Sequence, residues 1–322
     1  MKRKSLALLV AVVVLLALGS GASGSRRRAV RPSPVNREGR IAYADRLDGG
    51  PGPDVTGSQI FTINADGSDR RQLTSSSNGN FFPAWSPNGT TLAFVSVRSG
   101  APQIWTMAAD GSTPAQLTFA GANILPAWSP DAARLAFVSN HTGQTQIWTM
   151  NADGTNPVQL TSQGNNNVPA WSPDGRRIAF WSGNENGFGQ IWVMDAVDGS
   201  NKTQLTYPRF DSYTPNGSSA NAPAWLFNDK IVYWSGIEQQ YGQIWVMNGD
   251  GGNPQQLTNE PAPASSDNPS WSADGKRILF DTSRTGRPEI WMMDANGTNQ
   301  RPLIRDIRLI PGRTSWQPMG SH

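Results

Sequence analysis

The chain predicts an all-β fold, a six-bladed β-propeller, and two observations carry that expectation. A pair of short modules recurs six times in the same order, and the turns beside them are Asp-Gly or close relatives. The first module reads Pro-Ala-Trp-Ser-Pro-Asp-Gly from Pro169 to Gly175. Its tryptophan recurs as Trp85, Trp128, Trp171, Trp225, Trp271 and Trp316, at intervals of 43 to 54 residues. The second module is Gln190-Ile191-Trp192-Val193-Met194, repeated around Ile60-Phe61, Ile104-Trp105, Ile147-Trp148, Ile244-Trp245 and Ile290-Trp291. Self-similarity at about 40–50 residues marks a stacked or radial repeat protein.

Within one period every apolar run is strand-like. Arg177-Ile178-Ala179-Phe180-Trp181 and Gln190 to Met194 are short, rich in aromatic and β-branched residues, and bounded by Gly, Asn, Asp and Ser. Asp174-Gly175 and Asp198-Gly199 supply the positive φ of tight hairpin turns, so four strands follow one another as an antiparallel unit. These are strand A (PAWS), strand B (RIAF), strand C (QIWVM) and strand D (QLT). Radial packing of six such units covers both faces of each sheet and leaves few open edges. The tryptophans are expected to pack between neighbouring blades.

The two ends of the repeat region complement each other. Arg40-Ile41-Ala42-Tyr43 enters at a strand B with no strand A before it, and Thr314-Ser315-Trp316-Gln317-Pro318 is a strand A with nothing after it. The C-terminal strand should therefore complete the N-terminal blade and close the ring. The propeller is expected over residues 39–319.

Residues 1–24 have the layout of a signal peptide. Lys2, Arg3 and Lys4 precede an apolar run from Leu6 to Leu18, and small residues follow, with cleavage expected near Ala22. That run is shorter than the roughly 20 residues that span a bilayer, which favours cleavage over an uncleaved membrane anchor. Residues 25–38, with Arg26, Arg27, Arg28, Arg31 and Arg37 among prolines, read as a disordered basic tether. Localisation is thus expected to be periplasmic or extracellular, with membrane attachment only if the leader stays.

Composition narrows the function classes. Eight of the 27 basic residues and one of the 24 acidic ones lie in residues 1–38, so the rest carries 19 against 23, a net of −4. The high pI belongs to the leader and tether, and no nucleic-acid footprint remains. With no cysteine, thiol nucleophiles and thiolate metal sites are excluded, and with only His141 and His322 a histidine triad or multi-histidine metal centre cannot be assembled. No cofactor, no metal site and no catalytic residue is assigned. Carboxylate chemistry from Asp211, Glu238, Asp267 and Asp281 stays open, since glycosidases need only two acids, and spacing selects no pair of them. Aspartate turns that suggest calcium lack a twelfth-position glutamate and are accounted for as hairpins.

Pro-Ala-Trp-Ser-Pro-Asp-Gly, Arg-Ile-Ala-Phe, Gln-Ile-Trp-x-Met-Asn-Ala-Asp-Gly and Gln-Leu-Thr, in this order, resemble the repeats of TolB-like propellers. The resemblance covers residues 40–318. It implies a six-bladed propeller and, by likeness to TolB itself, a periplasmic protein that binds a partner, in TolB's case the lipoprotein Pal. The α/β domain ahead of the TolB propeller has no expected counterpart in the short tether. Prolyl oligopeptidase relatives carry similar repeats, but their Gly-x-Ser-x-Gly nucleophile motif is absent.

Strand alternation puts the A–B and C–D turns on one face and the B–C and D–A loops on the other. The turns are uniform and the loops vary, most of all Tyr207 to Ala222 and Gly236 to Gly242. Variable loops on a rigid scaffold are where binding resides. The expected partner-binding residues are therefore Tyr207, Arg209, Phe210, Asp211, Tyr213, Glu238 and Tyr241. Asn80, Asn123 and Asn166 are candidates for a polar ring at the channel mouth, with bonding to their own backbone as the rival role. Gln59, Gln103, Gln146, Gln190, Gln243 and Glu289, one per blade, read as inter-blade hydrogen-bonders. The expected function is an exported, monomeric, non-catalytic propeller that binds a partner protein or an envelope polysaccharide. The alternatives are a carbohydrate-active lyase or hydrolase and a membrane-tethered sensor domain.

Overall fold

The computed structural model describes residues 39–46, 57–183, 189–208, 218–226, 228–237, 240–305 and 314–318. Within them the chain forms six four-stranded antiparallel sheets and no helix. Blade 1 holds β1 (Arg40–Arg46), β2 (Ser58–Asn64) and β3 (Arg71–Gln72), and blade 2 holds β4 (Asn80–Trp85), β5 (Thr91–Ser96), β6 (Gln103–Ala108) and β7 (Ala115–Gln116). Blade 3 is β8 (Asn123–Trp128), β9 (Arg134–Ser139), β10 (Gln146–Asn151) and β11 (Val158–Gln159). Blade 4 is β12 (Asn165–Trp171), β13 (Arg177–Gly183), β14 (Gly189–Asp195) and β15 (Thr203–Gln204). Blade 5 is β16 (Ser218–Leu226), β17 (Lys230–Ile237), β18 (Gln240–Asn248) and β19 (Gln255–Gln256). Blade 6 is β20 (Ser266–Trp271), β21 (Arg277–Thr282), β22 (Glu289–Asp294) and β23 (Arg301–Ile304), after which β24 (Ser315–Trp316) returns to blade 1.

That return closes the ring as the chain ends predict. β24 lies against β1 with Ile41 opposite Trp316 and Ala42 opposite Ser315. Gln317 N donates to Arg40 O at 2.6 Å, the Ser315 hydroxyl accepts from Trp85 N in blade 2 at 3.0 Å, and Thr314 shares a 2.7 Å hydroxyl contact with Ser270 in blade 6. The closing strand thus ties three blades together.

Strand B is buried almost continuously, as in Ile178, Ala179 and Phe180, because each sheet is sandwiched between two others and has no solvent face. The module tryptophans bridge the seams. Trp128 Nε1 donates to Ala84 O at 3.1 Å, Trp171 Nε1 to Ala127 O at 3.0 Å and Trp271 Nε1 to Ala224 O at 3.1 Å, each reaching strand A of the preceding blade. Arg134 lies over Trp171 and Arg177 over Trp225, both at 4.7 Å, so cations cover these rings from the blade before.

Strand A carries a feature absent from the sequence reading. In blades 2 to 6 its register with strand B slips by one residue, just before the module proline. The residue at the slip is Phe82, Leu125, Val168, Ala222 or Asn268, with φ between 48° and 57°. Bulky residues rarely adopt this conformation, and the five-fold repetition marks a built-in β-bulge.

Candidate functional site

The loop face is built on a hydrogen-bonded clasp between blades. In blade 1 the Gln59 side-chain oxygen accepts from Thr74 Oγ1 at 2.7 Å and from Asn80 Nδ2, in blade 2, at 3.0 Å. Gln103, Thr118 and Asn123 repeat this between blades 2 and 3, and Gln146, Thr161 and Asn166 between blades 3 and 4. Asn80, Asn123 and Asn166 also donate to nearby loop carbonyls, those of Asn78, Ala120 and Gln163. All three asparagines are buried, so their amides face the seams and not the solvent.

The clasp changes in the other half of the ring. Opposite Ser235, where Asn80, Asn123 and Asn166 stand opposite Ser96, Ser139 and Ser182, blade 5 has Ala220. Blade 6 has Ser266 there, and the backbone N–H of Glu260 supplies the missing donor to Gln243 Oε1 at 2.9 Å. In blade 6 itself Glu289 replaces glutamine and accepts from Trp291 Nε1 at 2.6 Å.

Where the asparagine is missing between blades 4 and 5, a cleft of about 660 Å3 lies in the seam. Gln190, Leu205, Thr206, Tyr207 and Pro208 form its blade 4 side, and Ala220, Tyr233, Ser235, Tyr241, Trp245 and Met247 its blade 5 side. The two described members of the expected partner-binding set meet here. Tyr207 is 67% exposed and Tyr241 40%. Tyr241 owes its exposure to a bulge, since Tyr241 and Gly242 together oppose the single residue Gly236, with Tyr241 at φ 53°. Such bulges re-aim side chains and concentrate at working sites. Arg209, Phe210, Asp211, Tyr213 and Glu238 lie outside the described residues.

Tyr233, Trp245 and Ala220 belong to the cleft although sequence reasoning did not select them. A signal existed: strand B carries Tyr233 where most blades carry phenylalanine, and the pre-proline asparagine is lacking at position 220. Between blades 5 and 6 a polar hollow is lined by Gln256, Thr258, Asn259, Glu260, Arg284 and Gln300. There Arg284 pairs with Glu260 and stacks on Trp291 at 4.2 Å, which neutralises both charges.

Of the four candidate carboxylates the structure brings two together. Asp267 and Asp281 are directly opposed in β20 and β21. Asn268 Nδ2 donates to Asp281 Oδ2 at 2.9 Å and Ser265 Oγ to Asp267 Oδ2 at 2.8 Å, while Asp281 Oδ1 is buried without a hydrogen-bond partner. Burial pushes Asp281 up to about 8, with the neighbouring Asp267 charge adding to the rise, and burial pushes Asp267 up to about 6. Blades 4 and 5 fill the same strand B position with Trp181 and Trp234.

The turn face differs in kind. Asp66, Asp153 and Asp198 are held below the usual carboxylate range by accepting from the Ser or Thr two residues on, and Asp131 and Asp174 by accepting from Ser129 and Ser172. They cap their own turns. Among the described residues no group of three or more His, Asp or Glu is placed to hold a metal ion, and no helix is long and apolar enough to cross a membrane. The strand A ends make a shallow apolar hollow of about 370 Å3, rimmed by Pro87, Trp128, Pro130, Trp171, Pro173 and Trp225.

Six four-stranded blades closed by a C-terminal strand define a six-bladed β-propeller. Residues 54–123 and 116–222 match the family model of the TolB beta propeller domain, and the chain belongs to that family. TolB from Acinetobacter baumannii superposes with a TM-score of 0.71 at 24% identity, over 88% of this chain and 68% of that one. The putative TolB from Agrobacterium tumefaciens gives 0.66 at 19% identity, over 88% and 95%. Dipeptidyl-peptidase 5 of Porphyromonas gingivalis is 39% identical over 46 residues, which is 14% of this chain and 7% of that enzyme. That match is about one repeat long.

Proposed function

We propose that the chain is an exported, non-catalytic propeller that binds a partner protein through its loop face, at the cleft between blades 4 and 5. The convergence of two exposed tyrosines on a cleft in the one seam with alanine in the clasp position carries this reading. Tyrosine and tryptophan give large contact areas at low entropic cost and dominate binding hot spots. The lining carries no unpaired charge, since Glu260 is matched by Arg284. A photo-crosslinking residue at position 207, compared with one at Arg176 on the turn face, tests it in the exported protein. Adducts from position 207 alone support the reading, and adducts from position 176 alone reverse the two faces.

A second reading is supported by the Asp267–Asp281 pair, two opposed carboxyl groups that burial raises above the usual carboxylate range, since general acid–base cleavage of a glycan uses two acids. It predicts turnover of an envelope polysaccharide that Asp267→Asn and Asp281→Asn both abolish. Unchanged turnover in both variants removes this reading.

A further inference from the structure

Four Asn-Gly pairs fall within the described residues: Asn78-Gly79, Asn88-Gly89, Asn248-Gly249 and Asn296-Gly297. Such a pair is chemically labile, because a glycine without Cβ lets its backbone nitrogen approach the preceding carboxamide closely. In three of them the fold opposes that approach. Asn88 Oδ1 accepts from Ser86 Oγ at 2.6 Å and from Thr90 N at 3.1 Å, while Gly89 N donates to Ser86 O at 2.8 Å. Asn296 Oδ1 accepts from Thr298 N at 3.1 Å, and Gly297 N donates to Asp294 O at 2.9 Å. Lys230 Nζ donates to Asn248 Oδ1, and Gly249 N donates to Asp229 O at 2.7 Å. Asn78-Gly79, in the loop from blade 1 to blade 2, is built differently. Asn78 is exposed, and among the described residues its carboxamide makes no hydrogen bond and the Gly79 N–H donates none.

We infer that Asn78 is a site of spontaneous covalent modification, at which asparagine converts to aspartate and isoaspartate and so loosens the seam between blades 1 and 2. The Gly79 nitrogen gives its proton to solvent and attacks Asn78 Cγ. A new C–N bond forms, the Cγ–Nδ2 bond breaks, and Nδ2 leaves as ammonia. Water then opens the cyclic imide at either carbonyl. Opening at Cγ gives aspartate on an intact backbone, whereas opening at the main-chain carbon gives isoaspartate, with the backbone routed through the side chain and lengthened by a methylene. Cyclisation at Asn78 breaks no hydrogen bond, but at the other three pairs it must break the glycine donor bond and free a held carboxamide. The seam is affected because Asn78 O accepts from Ser76 Oγ at 2.9 Å and from Asn80 Nδ2 at 3.1 Å, and Asn80 Nδ2 also reaches Gln59 Oε1. Isoaspartate takes that carbonyl out of the main chain and withdraws an acceptor from the clasp.

The full chain, aged in mildly alkaline water enriched in heavy oxygen and mapped by tandem mass spectrometry, tests the assignment. Asn78 should take up the label about tenfold faster or more than Asn88, Asn248 and Asn296. In denaturant the four sites should react at similar rates, which assigns the difference to the fold. A folded chain in which any of the other three reacts as fast as Asn78 overturns the inference, and so does the same ranking in denaturant. Melting curves test the consequence. Aged wild-type protein should lose Tm in proportion to its isoaspartate, whereas fresh Asn78→Asp, with its backbone intact, and aged Asn78→Gln should melt like fresh wild type. Isoaspartate at position 78 with an unchanged Tm overturns the link to the seam.

Discussion

At the scale of single residues, the loop face departs from its repeat where side chains replace one another in pairs. Trp234 occupies a strand B position that is Val95 and Val138 in blades 2 and 3, and its indole lies across Gly242. A Cβ at Gly242 would stand 1.3 Å from Trp234 Nε1. Gly242→Ala should therefore destabilise the protein by about 1–3 kcal/mol or more through overpacking. Trp234→Val should restore much of the loss, which a double-mutant cycle in denaturant will show. The acid pair supplies a second test. Asp267 and Asp281 have folded-state values near 6 and 8, above the usual carboxylate range, so the folded protein holds more protons than the unfolded chain between about pH 4 and 8. Their contribution to stability is complete below that window and is lost as pH rises through it. Wild-type Tm should fall between pH 6 and pH 9, and Asp281→Asn should flatten that fall. Parallel melting curves for the two proteins would contradict it.

At the scale of strands and turns, much was legible because the modules are local. Asp-Gly turns, alternating strand types and the module tryptophans identify four strands per period without reference to tertiary contacts. The strand A bulge was not legible, since a left-handed residue before proline runs against the preferences of Phe82, Leu125 and Val168 and is imposed by ring geometry. The three asparagines were found by position, but their role depends on a glutamine about 20 residues earlier in the neighbouring blade, a contact no local pattern encodes. The clasp glutamines were recognisable as structural because one recurs in every blade but the last. The closing strand is the element with the largest predicted effect. Ending the chain after Pro311 removes β24, uncovers the edge of β1 and deletes buried Trp316, a residue type that buries about 150–250 Å2. A large drop in Tm with aggregation is expected, and a truncated chain that melts like the full one would show that closure contributes nothing.

On the scale of the whole molecule the ring is divided. Seams 1/2, 2/3 and 3/4 carry the full Gln–Thr–Asn clasp, whereas 4/5, 5/6 and 6/1 have lost its asparagine or glutamine, the clefts lie at 4/5 and 5/6, and the acid pair sits within blade 6. A repeat protein gains function by breaking its own repeat on a scaffold that the intact copies keep rigid. On the exported reading proposed above, that face lies outside the cytoplasm and the mature N-terminus should fall between Ser20 and Arg26. An intact Met1 in the membrane fraction would indicate an anchored form instead. The central claim, that the altered 4/5 seam is the working surface, is tested most directly by calorimetry with the crosslinked partner once it is purified. Tyr207→Ala and Tyr241→Ala should each weaken binding by about 2 kcal/mol, near thirtyfold, with unchanged Tm, and Arg176→Ala on the opposite face should bind as the wild type does. Full affinity in both tyrosine variants, with binding abolished by Arg176→Ala, would contradict the account.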